Sequence, residues 1–169
     1  MENLVNQKQS TRRSANIGLS EDTRASVAEI MNHLLANESV IYTKTRNFHW
    51  NVTGPLFYSL HNLLEEQYDQ IAKSIDEVAE RARQMGFRAI GSMREFLDLA
   101  SIDESKEQNL SDTQMVAELV KDHEAIVQQM RKNIDKLEDE LHDVGTADFV
   151  TGLMQMHEEM AWMLRSLLK

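Results

Sequence analysis

A single proline, Pro55, stands in 169 residues. Proline removes a backbone donor and breaks helix interiors, so its near absence leaves the chain free to run as long helices. The apolar pattern uses that freedom. Val27, Leu34, Ile41 and Phe48 recur every seven residues, with Ile30 and Met31 between them, and form one stripe over roughly 20–52. Ser20 before Glu21 and Asp22 reads as a helix start, because carboxylates favour the positive end of the helix dipole. Gly54 and Pro55 then read as a stop followed by a restart.

A second helix is expected over about 55–85, with Phe57, Leu60, Leu64, Tyr68, Ile71, Ile75, Val78, Ala82 and Met85 on one face and Gly86 closing it. A third begins at the box Ser111-Asp112-Thr113-Gln114 and runs to about 142, with Val116, Leu119, Ile126, Met130, Leu137 and Leu141 inward and Gly145 ending the segment. The fourth covers roughly 147–168 and packs Phe149, Val150, Leu153, Met156, Met160, Met163, Leu164 and Leu167. Met154 belongs to the same helical spacing, so core packing is the expected role of the methionines there.

The first–second and third–fourth links are a few residues long, which makes each pair an antiparallel hairpin. The second–third link, about 86–110, is far longer and holds a short amphipathic piece, Met93 to Leu99. A helix of about 30 residues is about 45 Å long, and a link of this size can travel back along it. The expected fold is therefore all-α: a ferritin-like four-helix bundle over 20–169 with a long second-to-third crossover carrying a short extra helix, behind a flexible N-terminal tail over 1–19.

Composition narrows the function. There is no cysteine, which excludes disulfide scaffolds, thiol catalysis and cysteine-based zinc or iron–sulfur sites. No run of about 18 apolar residues offers a membrane span, and the polar first residues lack the apolar stretch of a secretory signal. A soluble, cytoplasmic protein is expected. The formal net charge of −10 disfavours a body that grips nucleic acid and suits one that collects cations. The tail departs from the average: Lys8, Arg12 and Arg13 stand against Glu2 alone, so a contact with DNA through them is the candidate partner reading.

Of six histidines, His123 falls on the third helix's apolar stripe and reads as a hydrogen-bonded core residue, and His33, His142 and His157 show no clear carboxylate constellation. His49 and His61 lie five or six residues either side of the Gly54–Pro55 turn and can face each other across the hairpin. Glu65 follows His61 by one turn; Asp76 and Glu80 form a second i,i+4 pair farther along the same side. His61 and Asp76 are 15 residues apart, about 22 Å of helix rise, too far for one ion with ligands at about 2.0–2.2 Å. If these groups form one site, Asp76 and Glu80 come from a second subunit across a two-fold axis, giving two equivalent sites per dimer. Such ligands suit iron, zinc or manganese. The alternative is that Asp76 and Glu80 are solvated and pair with Arg81 or Arg83. No histidine has a glutamate three residues before it, which disfavours the intrasubunit di-iron cage of four-helix bundles.

The run Lys44-Thr45-Arg46-Asn47-Phe48-His49-Trp50-Asn51-Val52, with Gly54, Phe57, Leu60 and His61 after it, resembles the Dps family of bacterial mini-ferritins, as does Asp76 with Ala79, Glu80 and Arg81. The resemblance spans about 20–169. It implies a hollow homododecamer of tetrahedral symmetry with di-iron ferroxidase centres at its two-folds. His49 and His61 would come from one subunit and Asp76 and Glu80 from its partner, with Glu65 near the iron. It implies that Trp50 lies beside the centre, as a sink for stray oxidising equivalents or as interface packing. It further implies oxidation of Fe(II) by hydrogen peroxide, storage of ferric mineral, and protection of DNA. Asp143 and Asp148 match positions that line acidic three-fold pores in relatives, and ordinary solvated helix-end charge is the alternative. Some relatives bind DNA through lysine-rich tails and others do not bind it; the alternative function is a structural nucleoid protein that chiefly binds and compacts DNA through its N-terminal tail, and nucleoid association would follow from such binding.

Overall fold

The computed structural model describes residues 15–168. Five α-helices follow one another: α1 Glu21–Asn51, α2 Phe57–Gln84, α3 Met93–Leu99, α4 Asp112–Asp135 and α5 Val144–Arg165. There is no strand among the described residues. The four long helices are the expected bundle, and α3 occupies the residues expected for the short crossover helix.

Local chemistry sets the boundaries. Ser20 caps α1 by accepting the Thr23 amide at 3.1 Å, and Ser111 and Gln114 close a reciprocal box at the start of α4. Between α1 and α2 the chain reverses at Gly54, whose φ is +105°. A side chain there would bring its Cβ within 3.1 Å of Asp112 Oδ2. That carboxylate, from the first turn of α4, accepts the Leu56 amide at 3.2 Å and so pins the turn to the second hairpin. At the other end of the hairpin the Arg24 guanidinium donates to the Met85 carbonyl at 2.8 Å, supplying a partner that the end of α2 lacks.

The crossover is held against α1 by three polar side chains. Asn32 donates to the Arg88 carbonyl and accepts the Ile90 amide; Asn37 accepts the Ser101 amide at 2.8 Å; and His33 Nδ1 donates to the Leu99 carbonyl at 3.1 Å. The stripes anticipated for the long helices fill one core: Leu34, Ile41, Phe48, Leu60, Leu64, Ile71, Leu119, Ile126, Met130 and Leu164 are buried. Met163 is not part of it; at 38% exposed it stands at the bundle surface while Met160 fills the core.

The α4–α5 junction differs from expectation. The α-helix stops at Asp135, and Lys136–Glu140 form a π turn that carries Leu137 into the core. The reversal falls on His142, with φ +53°, and not on Gly145. Asp143 then caps α5 through the Thr146 amide at 3.1 Å, so Gly145 lies in the first helical turn. There the missing side chain leaves room for Arg81, whose guanidinium a Cβ would meet at 3.4 Å. Among the described residues no helix is long and apolar enough to cross a membrane.

Candidate metal centre

The Gly54 reversal brings the last turn of α1 against the first turns of α2, and His49 and His61 meet there. Their rings stack with centroids 3.8 Å apart and planes 20° from parallel. Each ring is tied to the other's backbone: His49 Nδ1 donates to the His61 carbonyl at 2.8 Å, and His61 Nδ1 to the His49 carbonyl at 2.9 Å. The His49 carbonyl, at the end of α1, has no intrahelical partner to lose. Because a carbonyl only accepts, each neutral ring carries its proton on Nδ1 and keeps a bare lone pair on Nε2. No protein group among the described residues engages either Nε2. Metal-binding imidazoles are oriented in this way, with the second nitrogen anchored on a carbonyl.

Aromatic rings wall the pair. Phe57 lies 5.2 Å from the His61 ring, and Tyr68 stands edge-on to His49 at 5.3 Å and 80°. The Tyr68 hydroxyl reaches Glu65 Oε1 at 3.4 Å. Burial first and the Glu65 charge second push its pKa up, so it stays a donor. The Arg46 guanidinium sits 4.8 Å over the Trp50 ring and within 5.4 Å and 5.5 Å of the Tyr42 and Tyr68 rings. Trp50 itself is 65% exposed beside the histidines.

Glu65, Asp76 and Glu80 are all exposed on α2. The arginines that were the alternative partners of Asp76 and Glu80 point elsewhere. Arg81 donates to Thr146 Oγ1 at 2.8 and 3.0 Å and lies 3.5 Å from Asp143, while Arg83 donates to the Phe87 carbonyl. Among the described residues of one chain, no three His, Asp or Glu side chains converge where an ion could sit. The histidine pair, at the α1–α2 turn, and the Asp76–Glu80 pair, farther along α2, therefore stand apart within one chain.

The two pore candidates part company. Asp143 is buried and used twice, as the α5 cap and as the partner of Arg81. Asp148 is exposed and lines a cleft of about 450 Å³ between α2 and α5 with Lys73, Glu77 and Gly152. Lys8, Arg12 and Arg13 lie outside the described residues.

Two buried polar groups were not anticipated. Lys44 Nζ donates to Asp122 Oδ2 at 2.6 Å, and burial, only partly offset by that contact, raises the Asp122 pKa. His157, read as lacking a carboxylate, donates to Glu38 at 2.7 Å, both side chains being fully buried. The signal was present: Glu38 is four residues after Leu34 and three before Ile41, and His157 is four after Leu153 and three before Met160. Both sit on the core stripes of their helices.

The ferritin-like domain family matches residues 28–169. A low temperature-induced protein of Nostoc sp. is 47% identical over 154 residues, covering 91% of this chain and 86% of its own length. The DNA protection during starvation protein 2 of Bacillus anthracis is 37% identical over 84% of this chain and 96% of that one. The crystal structure of the DPS protein from Vibrio cholerae, described as a member of a broad superfamily of ferritin-like diiron-carboxylate proteins, superposes with a TM-score of 0.86 at 31% identity. That superposition covers 93% of this chain and 99% of the Vibrio chain. With the bundle, its single long crossover and the paired histidines in place, the chain belongs to the ferritin-like family, in its Dps branch.

Proposed function

We propose that this chain is a ferroxidase and iron-storing mini-ferritin that oxidises Fe(II), preferably with hydrogen peroxide, at a di-iron centre completed between two subunits. The observation that carries the reading is the reciprocal lock of His49 and His61, which fixes both tautomers and leaves the Nε2 lone pair of each stacked ring without a protein partner among the described residues. The exposure of Asp76 and Glu80, with their neighbouring arginines engaged elsewhere, supports their meeting the histidines of a two-fold partner. Glu65, one turn beyond His61, adds a carboxylate close by, either directly or through water. Zinc and manganese suit the same donors and would compete with iron.

The residues favour the reaction by charge. Carboxylate oxygens bind hard Fe(III) more strongly than Fe(II), which makes loss of an electron from each bound ion downhill. Two Fe(II) supply the two electrons that cleave one peroxide O–O bond, so no one-electron step releases a hydroxyl radical. With two waters, the products are two FeOOH and four protons, and the mineral is kept inside a closed dodecameric shell in the cytoplasm. Trp50 stands beside the centre, where a stray oxidising equivalent would meet an indole before it met DNA.

Anaerobic loading with Fe(II) followed by stepwise peroxide tests this. The expected result is a ferric absorbance that breaks near one peroxide per two irons, with little radical trapped. The double variant His49→Ala/Asp76→Ala should assemble normally and oxidise iron far more slowly. A wild-type rate no faster than a protein-free control overturns the reading, as does an unchanged rate in the double variant.

A further inference from the structure

One residue from each long helix meets at the centre of the bundle: Glu38 of α1, Ser74 of α2, His123 of α4 and His157 of α5. All four are buried, and the two histidines and Glu38 are wholly so. Ser74 Oγ donates to Glu38 Oε2 at 2.8 Å, and His157 Nε2 donates to Glu38 Oε1 at 2.7 Å. The other nitrogen of His157 faces His123, Nδ1 to Nδ1, at 2.8 Å. His123 Nε2, at the far end, is buried with no partner. His157 uses its two nitrogens in different directions, so no single ion reaches both of its neighbours through it. The chain is joined by protons.

A 2.8 Å contact between two ring nitrogens holds one proton, because two N–H groups pointing at each other repel and two bare lone pairs do the same. With both rings neutral, His123 Nδ1 donates to His157 Nδ1. Adding one proton makes one ring cationic while the contact still holds a single proton, and the Glu38 carboxylate faces that charge. Adding a second makes both rings cationic and forces two protons into one contact. The surroundings do not relieve it. From α1 the facing charge is Glu38; α2 offers only Ser74 and, one turn or two away, the amide of Gln67. The Asp122 carboxylate of α4 is committed to Lys44, and α5 contributes His157 itself. One carboxylate neutralises one imidazolium, not two.

We propose that the Glu38–His157–His123 chain is an acid-operated latch, in which the bundle stays closed with one shared proton between the rings and α4 parts from α5 when a second arrives. Ser74 also lines the cleft between α2 and α5, so the cluster comes nearest to solvent on that side. The direction of titration agrees. Burial first, and His157 second, hold the His123 pKa well below the ordinary imidazole value. The unfolded chain then takes up that proton first, and stability present at neutral pH is lost as the pH falls below about 6.5. The latch stands apart from the proposed iron centre and does not depend on it.

The test is an acid titration of the full-length protein from about pH 8 to about pH 4 at constant ionic strength, read by helicity and by sedimentation. Wild type should open cooperatively with uptake of more than one proton. His123→Leu removes the second imidazole and its unpartnered nitrogen, and should move the midpoint to lower pH by about half a unit or more. His142→Asn, which removes an exposed imidazole at a position asparagine tolerates, should leave it in place. A midpoint in His123→Leu equal to wild type overturns the latch. If that variant does not fold at neutral pH, hydrogen exchange of wild type at two pH values, corrected for intrinsic rates, decides. Protection lost first around 119–127 and 153–161 is the expected result, and loss beginning in the α1–α2 hairpin overturns it.

Discussion

An imidazole is aimed by whichever of its nitrogens is tied down, and at His49 and His61 the tie is the partner's own backbone. The geometry of the candidate centre therefore depends on the turn that sets the register of the two helix ends. Gly54 is the residue that permits this turn, both because its φ is +105° and because an added Cβ would crowd Asp112 Oδ2 at 3.1 Å. Gly54→Ala should cost about 1–3 kcal/mol in chemical denaturation and should weaken metal binding beyond that loss by shifting His49 against His61. Gly152 is the internal control. It lies in α5, and nothing stands within 4 Å of an added Cβ, so Gly152→Ala should be neutral or stabilising by up to about 1 kcal/mol. Equal destabilisation by the two substitutions would show that glycine as such, and not the turn, matters.

At the scale of elements, the crossover shows what holds a long connection in place. It buries little of α3, so its docking rests on Asn32, His33 and Asn37 of α1. Asn37→Leu leaves the Ser101 amide without its acceptor and should cost about 1–3 kcal/mol, with hydrogen exchange accelerating in 92–101 more than in the bundle. Within α3, the Arg88 guanidinium above all, then the Gly91 amide and the Ser92 side chain and amide, hold the Glu95 pKa at about 2. The capped helix should therefore keep its protection above about pH 4.5, the unfolded value, and lose it as the pH falls towards about 2. These elements were legible in the sequence because their signals are local: Ser111 with Gln114, Gly54 with Pro55, and the amphipathic run Met93–Leu99 each carry their own instruction. The π turn at Lys136–Glu140 was not, since residues there fit the α-helical stripe equally well. Nor was the Glu38–His157 pair, whose members are 119 residues apart and acquire meaning only when α1 and α5 pack. The histidine pair lies between these cases: spacing about the turn placed the two rings together, while the carbonyl contacts that fix their tautomers needed the fold.

For the whole molecule, the governing quantity is the distribution of charge. The chain carries −10 overall, so a closed shell of many copies would present a strongly acidic body to any polyanion. Any contact with DNA would then come from the segment that differs in sign, residues 1–19, with Lys8, Arg12 and Arg13 against Glu2. A few cations per chain bind a duplex weakly, and simultaneous engagement of several tails on one shell raises the apparent affinity. Each neutralised phosphate releases counterion, which makes log affinity fall with log salt by about 0.9 per contact. Removing residues 1–19 should abolish a gel shift seen at low salt while leaving iron oxidation intact, and raising salt should abolish it in the full-length protein. A shift that survives the deletion would mean the acidic body itself binds DNA, and the charge argument would fall. A shift lost together with ferroxidase activity would mean instead that the tail is needed for assembly, which sedimentation of the shortened protein would show directly.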